Sequence, residues 1–323
     1  MIDLLRNAYN LLDEQGRAEV LQFVSSQQNL DGGFKDRGGK SDLYYSLFGG
    51  MMLRAWGMGQ GAGSKGHGAW GMKMGDGKRE TGDGRKEKEM SDDVDSNFST
   101  QDSGFKIQDS NLIAESLLKF RYFIEGQSNS RVPGFIEKCC LVLLQKELQT
   151  GRFYRTKTII SLVKSFWKER YSINLSYRNF VLFLTLDAVF PFPEIFKLAA
   201  KRMLARTIVD QHSPCSEVAA KVFLLKMLNH DSLKEQELLK LFAVETGGFK
   251  AFLHLQQADM LSTSVALFAL NYAECDIRLL KPDCLNFIQS NFSDGAFLSG
   301  DSDATQDVEY TFYGLLALGV LAD

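Results

Sequence analysis

Two segments in the last forty residues of this 323-residue chain decide its fold: residues 284–297, CLNFIQSNFSDGAF, and residues 307–319, DVEYTFYGLLALG. The first reads as a short helix that ends in a Gly-Phe turn, and the second reads as a helix that is apolar on nearly every side. The same order of turn and apolar helix occurs at residues 20–48 and at residues 246–270. The pattern predicts helical hairpins, because a helix that is apolar all round has to be covered by others.

Turn phenylalanines recur at a regular spacing along the chain. Phe105 to Phe153 is 48 residues, Phe249 to Phe297 is also 48, and Phe153 to Phe249 is twice that distance. A period of this length is typical of stacked helical hairpins, and we expect the stack to close into a ring. We predict apolar inner helices near residues 41–56, 109–124, 155–169, 213–229, 259–274 and 307–321. We predict more polar outer helices near residues 17–26, 133–148, 193–208, 232–243 and 281–292, and an additional helix at residues 175–190.

The chain is predicted to form one all-α domain over residues 1–323, interrupted at about residues 58–104. That segment is rich in glycine and charge and contains Val94 as its one residue among Val, Ile and Leu, so we expect it to be flexible. A net charge of −3 gives no general attraction to nucleic acid. No transmembrane segment, signal peptide or disulfide framework is apparent, and these features favour a cytoplasmic protein.

The hairpins, the Gly-Gly-Phe turns and residues 309–318, EYTFYGLLAL, resemble the prenyltransferase and squalene-cyclase superfamily. Within it, the chain is most similar to the β subunits of protein prenyltransferases, and the resemblance covers most of the chain outside residues 58–104. The resemblance implies an α/α toroid, in which six inner helices surround a deep apolar cavity and six outer helices surround those. It also implies an isoprenoid ligand and a helical partner subunit.

The first repeat matches part of the motif around the zinc ion of those β subunits. Arg37, Lys40, Asp42 and Tyr45 fall on matching residue types, whereas Tyr44 stands at the cysteine position. The resemblance implies that Arg37 and Lys40 bind a diphosphate and that Tyr45 donates a hydrogen bond to it. A solvated polar turn is the alternative interpretation of Arg37 and Lys40.

The later repeats also lack zinc ligands of the family type. Asp259 matches the family aspartate, but Leu261 stands at the cysteine position and Tyr310 at the histidine position. Because thiolate and imidazole carry most of such a site, we do not expect the zinc ion of the family.

Carboxylates near the end of the chain are candidates for catalysis or for magnesium binding. The string Asp301-Ser-Asp303-Ala-Thr305 resembles the acid motif of the cyclases but lacks its last aspartate. Asp301, Asp303, Asp307 and Glu309 could together hold Mg²⁺ at a diphosphate, since this ion requires oxygen ligands. A solvated acidic loop is the alternative.

The aspartates that precede apolar helices have a structural interpretation as well. Asp42, Asp259 and Asp307 each stand where a helix is predicted to begin, and aspartate is a favoured N-cap residue. The aromatic residues of the same helices, among them Tyr44, Tyr45 and Tyr310, either pack the ring or line its cavity.

We therefore predict a prenyltransferase-like or terpene-cyclase-like protein that binds an isoprenoid diphosphate or a similar long apolar chain in a central cavity. Its candidate catalytic residues are Asp259, Asp301, Asp303 and Asp307. Its candidate substrate-binding residues are Arg37, Lys40, Tyr44, Tyr45, Glu309 and Tyr310. The alternative is a catalytically inactive toroid that binds a lipid or a protein partner.

Overall fold

A computed structural model of the protein describes most of the chain. The described residues are 1–57, 107–127, 134–148, 155–168, 175–189, 194–205, 207–300 and 303–323. The predicted insertion at residues 58–104, the candidate Asp301 and the turn copies at Phe105 and Phe153 lie outside them.

Within these ranges the chain is mostly helical and its two strands are two residues long, which confirms the predicted all-α class. The helices are α1 (Ile2–Leu11), α2 (Glu14–Ser26), α3 (Leu43–Gly57), α4 (Ile107–Gln127), α5 (Phe135–Glu147), α6 (Arg155–Lys168), α7 (Leu175–Val189), α8 (Glu194–Ala205), α9 (Cys215–Met227), α10 (Leu233–Lys240), α11 (Met260–Tyr272), α12 (Lys281–Ser290) and α13 (Val308–Ala322). A hairpin of two-residue strands, β1 (Phe292–Ser293) and β2 (Ala296–Phe297), precedes α13.

Six helices contact one another in cyclic order. Helix α3 contacts α5, and the contacts continue through α7, α9 and α11 to α13, which contacts α3 again. The other helices of the hairpins pack on these six: α4 on α3 and α5, α6 on α5 and α7, α8 and α10 on α9, and α12 on α13. Helix α1 contacts both α3 and α13, and α2 contacts α4.

The prediction of inner and outer helices is wrong in the middle of the chain. Helices α4 and α6, predicted as inner, carry exposed apolar side chains such as Tyr122 and Trp167, which are 66% and 61% exposed. Helix α5, predicted as outer, and α7, predicted as an additional helix, belong instead to the cyclic set of six. The physical reason is the apolar surface: Cys139 to Leu144 in α5 are all buried, whereas α6 has an apolar face and a polar one.

The three Gly-Phe turns that the structure describes share one tertiary contact. The backbone N–H of Phe34 donates to Ser46 Oγ at 2.9 Å, and that of Phe249 donates to Thr263 Oγ1 at 2.8 Å. The N–H of Phe297 points in the same way at Thr311 Oγ1, at 3.4 Å. Each turn phenylalanine is buried, so the hydroxyl of the following helix satisfies a donor that water cannot reach.

A glycine with positive φ precedes each of these phenylalanines by two residues: Gly32 (φ 91°), Gly247 (φ 98°) and Gly295 (φ 77°). A Cβ at any of the three would lie 2.0–2.3 Å from a backbone carbonyl oxygen of another helix. Those carbonyls belong to Lys119 in α4, Asp283 in α12 and Glu19 in α2. Each turn thus packs on the backbone of the next outer helix, and the last of them returns to α2.

The N-cap interpretation of the three aspartates is confirmed. Asp42 Oδ1 accepts from the backbone N–H of Tyr44 at 2.7 Å, and Asp307 Oδ1 accepts from that of Tyr310 at 2.8 Å. Asp259 Oδ1 accepts from the N–H of Ser262 at 2.8 Å in the same manner. These bonds satisfy donors that a helix leaves unpaired in its first turn.

Candidate functional site

A cavity of about 530 Å³ lies among the six cyclically packed helices. All six contribute to its wall, with residues such as Met51 of α3, Leu143 of α5, Leu184 of α7, Val265 of α11 and Leu316 of α13. Small side chains of α9 line the wall as well: Ser216, Ala219 and Ala220. Its volume falls within the ~300–1,000 Å³ that is typical of small-molecule sites.

Aromatic rings form much of the cavity wall. Phe48 of α3 lies 4.9 Å from Phe312 of α13 between ring centroids, and Phe223 of α9 stacks on Phe268 of α11 at 5.6 Å. Phe180 of α7 meets Phe223 edge to face at 5.5 Å. These rings pack on one another both stacked and edge to face, and an aromatic wall of this kind suits an apolar, unsaturated ligand.

A cluster of hydroxyl groups makes the wall polar where α3, α7 and α13 meet. The Tyr44 hydroxyl donates to Glu309 Oε1 at 2.7 Å. Tyr177 and Tyr313 lie close enough to Tyr44 for it to shift their pKa values, and all three tyrosines line the cavity. We call Tyr44, Tyr177, Glu309 and Tyr313 the hydroxyl cluster.

Burial controls ionisation in the hydroxyl cluster. It raises the pKa of Glu309 above its ordinary value, and the hydrogen bond from Tyr44 opposes that rise. Burial also raises the pKa values of Tyr44, Tyr177 and Tyr313, so these hydroxyls stay protonated near neutral pH. The cluster therefore offers neutral hydroxyls to the cavity and keeps its one carboxyl behind Tyr44.

An arginine and two carboxylates form a second polar group beside the hydroxyl cluster. Arg37 Nε donates to Asp307 Oδ2 at 3.0 Å, and Arg37 Nη1 lies 3.7 Å from Asp303 Oδ2. The guanidinium carbon lies 5.3 Å from the centroid of the Tyr310 ring. Burial raises the pKa of neighbouring Tyr45 to about 12, and Arg37 partly offsets this effect. Asp303 and Asp307 thus face a cation of the chain itself.

The structure brings together most of the residues that the sequence singled out. The residues that meet at the junction of α3 and α13 are Arg37, Tyr44, Tyr45, Asp303, Asp307, Glu309 and Tyr310. Lys40 is exposed in the same turn as Arg37. Asp259 lies elsewhere, at the start of α11 and beside the buried thiol of Cys215.

The sequence analysis missed most of the cavity wall, including Tyr177 and Cys140. Tyr177 belongs to α7, which had no assigned place in the ring, and Cys140 belongs to α5, which was assigned to the outer layer. The signal that could have found Tyr177 is the apolar character of residues 180–186 on every side of the helix, which is typical of a central helix rather than a surface one.

Two features are absent from the part of the chain that the structure describes. There, no three side chains among His, Cys, Asp and Glu converge as ligands of a metal ion would. Over the same residues, no helix combines the length and the apolarity needed to cross a lipid bilayer.

Comparison with protein-family models, with curated proteins and with solved structures found no match for this chain.

Proposed function

We propose that the protein is an α/α toroid that binds an isoprenoid or a similar long apolar molecule in its central cavity. The observation that carries the proposal is the apolar cavity of about 530 Å³ whose wall is shared by the six cyclically packed helices. Each methylene group moved from water into such a site contributes about 0.8 kcal/mol. A chain of many such groups is therefore the class of ligand that gains most from this wall.

An acid-catalysed reaction of the cyclase type is a second candidate function, and the position of Glu309 favours it. A carboxyl whose pKa is raised by burial keeps its proton to a higher pH than an ordinary glutamate does, and this is the direction that a general acid requires. Tyr44 connects this carboxyl with the cavity through a single hydrogen bond of 2.7 Å. The catalytically inactive binding protein differs from this candidate only in lacking turnover of the bound lipid.

A cavity-filling substitution tests the proposed binding. Ala219 is buried and lines the cavity, so Ala219→Phe places a ring inside it. We expect the delipidated wild type to bind the uncharged fluorophore N-phenyl-1-naphthylamine at about one molecule per chain and to release it to farnesol. We expect Ala219→Phe to weaken this binding roughly tenfold or more, equal to about 1.4 kcal/mol.

The matched control is Ala304→Phe, which adds the same ring at an exposed position. It should bind like the wild type, and circular dichroism should show unchanged helicity in both variants. The proposal is wrong if the wild type does not bind, or if Ala219→Phe binds as tightly as Ala304→Phe does.

A further inference from the structure

The described wall of the cavity contains no charged side chain. Its polar side chains are neutral: the hydroxyls of Tyr44, Tyr177, Tyr313 and Ser216 and the thiol of Cys140. A diphosphate carries at least two negative charges, and moving an unpaired charge from water into an apolar cavity is strongly unfavourable. Within the described wall, no side chain would compensate such a head group. Met1 also lines the wall, and burial lowers the pKa of its amino group, which disfavours the charged form.

The polar residues beside the cavity are also unsuited to an anion. Arg37 contributes one positive charge, but it already faces Asp307 at 3.0 Å and Asp303 at 3.7 Å. Glu309 adds a third carboxyl to the same group of residues. A diphosphate that approached Arg37 would have to displace carboxylates of the chain, and it would meet like charge from them.

The direction of the hydrogen bonds in the hydroxyl cluster indicates what the cavity can bind instead. A hydroxyl has one proton to donate and two lone pairs that accept. The Tyr44 hydroxyl donates its one proton to Glu309 Oε1 at 2.7 Å, so towards other groups the Tyr44 oxygen can only accept. Because Tyr44 lines the cavity, its oxygen is an acceptor at the cavity wall. A ligand group that donates a proton fits this arrangement, and an ether oxygen does not.

We propose that the cavity selects an uncharged lipid alcohol, whose hydroxyl donates to the hydroxyl cluster of Tyr44, Tyr177, Glu309 and Tyr313, over the diphosphate of the same lipid. This inference rests on the proposed binding of a long apolar molecule and names the head group of that molecule. It departs from the expectation that Arg37 and Lys40 hold a diphosphate. In this view Arg37 joins the first turn to the start of α13 through Asp307.

Three probes that share the farnesyl group and differ in the head group test the inference: farnesol, farnesyl methyl ether and farnesyl diphosphate. Each is titrated against the delipidated protein with N-phenyl-1-naphthylamine as the reporter. We expect farnesol to bind roughly three- to tenfold more tightly than the ether, as for one hydrogen bond. We expect it to bind at least tenfold more tightly than the diphosphate, with or without Mg²⁺.

Variants assign the preference to the hydroxyl cluster. In Tyr44→Phe, the affinity for farnesol should fall to that for the ether, and the affinity for the ether should stay unchanged. Tyr313→Phe should show the same loss of affinity for farnesol, and it replaces Tyr44→Phe as the test if that variant does not fold. Tyr272→Phe is the matched control, because Tyr272 stacks on Phe223 but does not line the cavity.

Each outcome separates the inference from the function on which it rests. If none of the three probes binds, the proposed function is wrong and the inference fails with it. If the diphosphate binds as tightly as farnesol, or if farnesol and the ether bind equally, the inference is overturned while the cavity remains a lipid site. Retention of the alcohol preference in both Tyr44→Phe and Tyr313→Phe would also overturn it.

Discussion

The hairpins that follow a described Gly-Phe turn and the hairpins built on α4 and α6 differ in what fixes them to their neighbours. At Gly32, Gly247 and Gly295 the backbone of the turn lies directly against the backbone of another helix. Helix α4 receives one of these turns on its backbone at Lys119, but it has open space around its own glycine, Gly126. A turn that packs against another backbone therefore requires glycine at one position, because a Cβ has no room there, and this requirement can be read from the sequence. Side-chain packing accepts many sequences.

The largest expected effect comes from closing the space at one of these turns. In Gly295→Ala, the new Cβ would lie 2.3 Å from Glu19 O, and the residue would keep a φ of 77°. We expect a loss of roughly 3 kcal/mol or more in the free energy of unfolding, measured by urea denaturation, because both a backbone clash and a strained dihedral are introduced.

Two glycines serve as controls for that substitution. Gly39 has a φ of 83° but open space around it, so Gly39→Ala should cost only about 1–2 kcal/mol from the dihedral. Gly126→Ala in α4 should stabilise the protein by about 0.5–1 kcal/mol, as alanine does in a helix. A loss at Gly295 no larger than that at Gly39 would remove the proposed role of backbone contact.

A second contrast concerns two buried threonines. Thr263 accepts the backbone N–H of Phe249 at 2.8 Å, and Thr263→Val leaves that buried donor without an acceptor. Thr185 in α7 donates to Val181 O at 2.7 Å, which is the carbonyl one helical turn earlier. We expect losses of about 1–3 kcal/mol for Thr263→Val and below about 1 kcal/mol for Thr185→Val in thermal or urea unfolding. Equal losses in the free energy of unfolding would mean that the hydroxyl at the turn stabilises the protein no more than the hydroxyl within α7 does.

The junction between α3 and α13 should give the protein a pH-dependent stability through Glu309. Six groups face this carboxyl: Tyr44 and Tyr45 from α3, Arg37 from the first turn, Tyr177 from α7, Asp307 at the N-cap of α13, and Tyr313 from α13. Because burial raises its pKa in the folded state, the folded protein binds the proton more tightly than the unfolded chain does. Stability from this group is therefore present at low pH and is lost as the pH rises through the folded pKa.

Substitution of Glu309 isolates that effect. The free energy of unfolding of Glu309→Gln relative to the wild type should increase as the pH rises from the ordinary pKa of glutamate to the raised pKa of Glu309 in the folded protein. Above the raised pKa the difference should be constant. Chemical denaturation at a series of pH values measures the difference. A constant difference across the whole range would show that the carboxyl titrates normally.

The smallest effect is expected on the exposed face of α6. Trp167 is 61% exposed, so Trp167→Gln should change the free energy of unfolding by no more than about 0.5 kcal/mol. Trp56 of α3 is 2% exposed and stacks on Tyr9 at 4.6 Å, and Trp56→Ala should cost about 3–5 kcal/mol. A large loss at Trp167 would mean that α6 depends on its outer face for packing.

The same contrast explains which features could be predicted from the sequence. The turn at Phe249 and the caps at Asp259 and Asp307 were predictable because each depends on residues close together in sequence. The exchange of inner and outer helices in the middle of the chain was not, because the assignment followed the turn copies at Phe105 and Phe153 rather than the all-round apolarity of α7.

The sequence predicted which residues form the candidate site, but not which of them contact one another. Arg37 and Tyr44 were singled out by their motif positions, yet their partners Asp307 and Glu309 are 270 and 265 residues away in sequence. No local pattern reports such a contact. The pairing decides the chemistry, because it makes Arg37 a partner of the chain's own carboxylates.

The return of the last described turn to α2 bears on how the repeats can be counted. In an open solenoid, the outermost repeats need polar caps, and units can be added or lost at either end. Here Gly295 lies against Glu19, so the hairpin of α12 and α13 uses the first outer helix as its neighbour. No hairpin in such an arrangement could be removed without breaking the cyclic order of helix contacts. The cyclic contacts therefore limit how the number of hairpins can change.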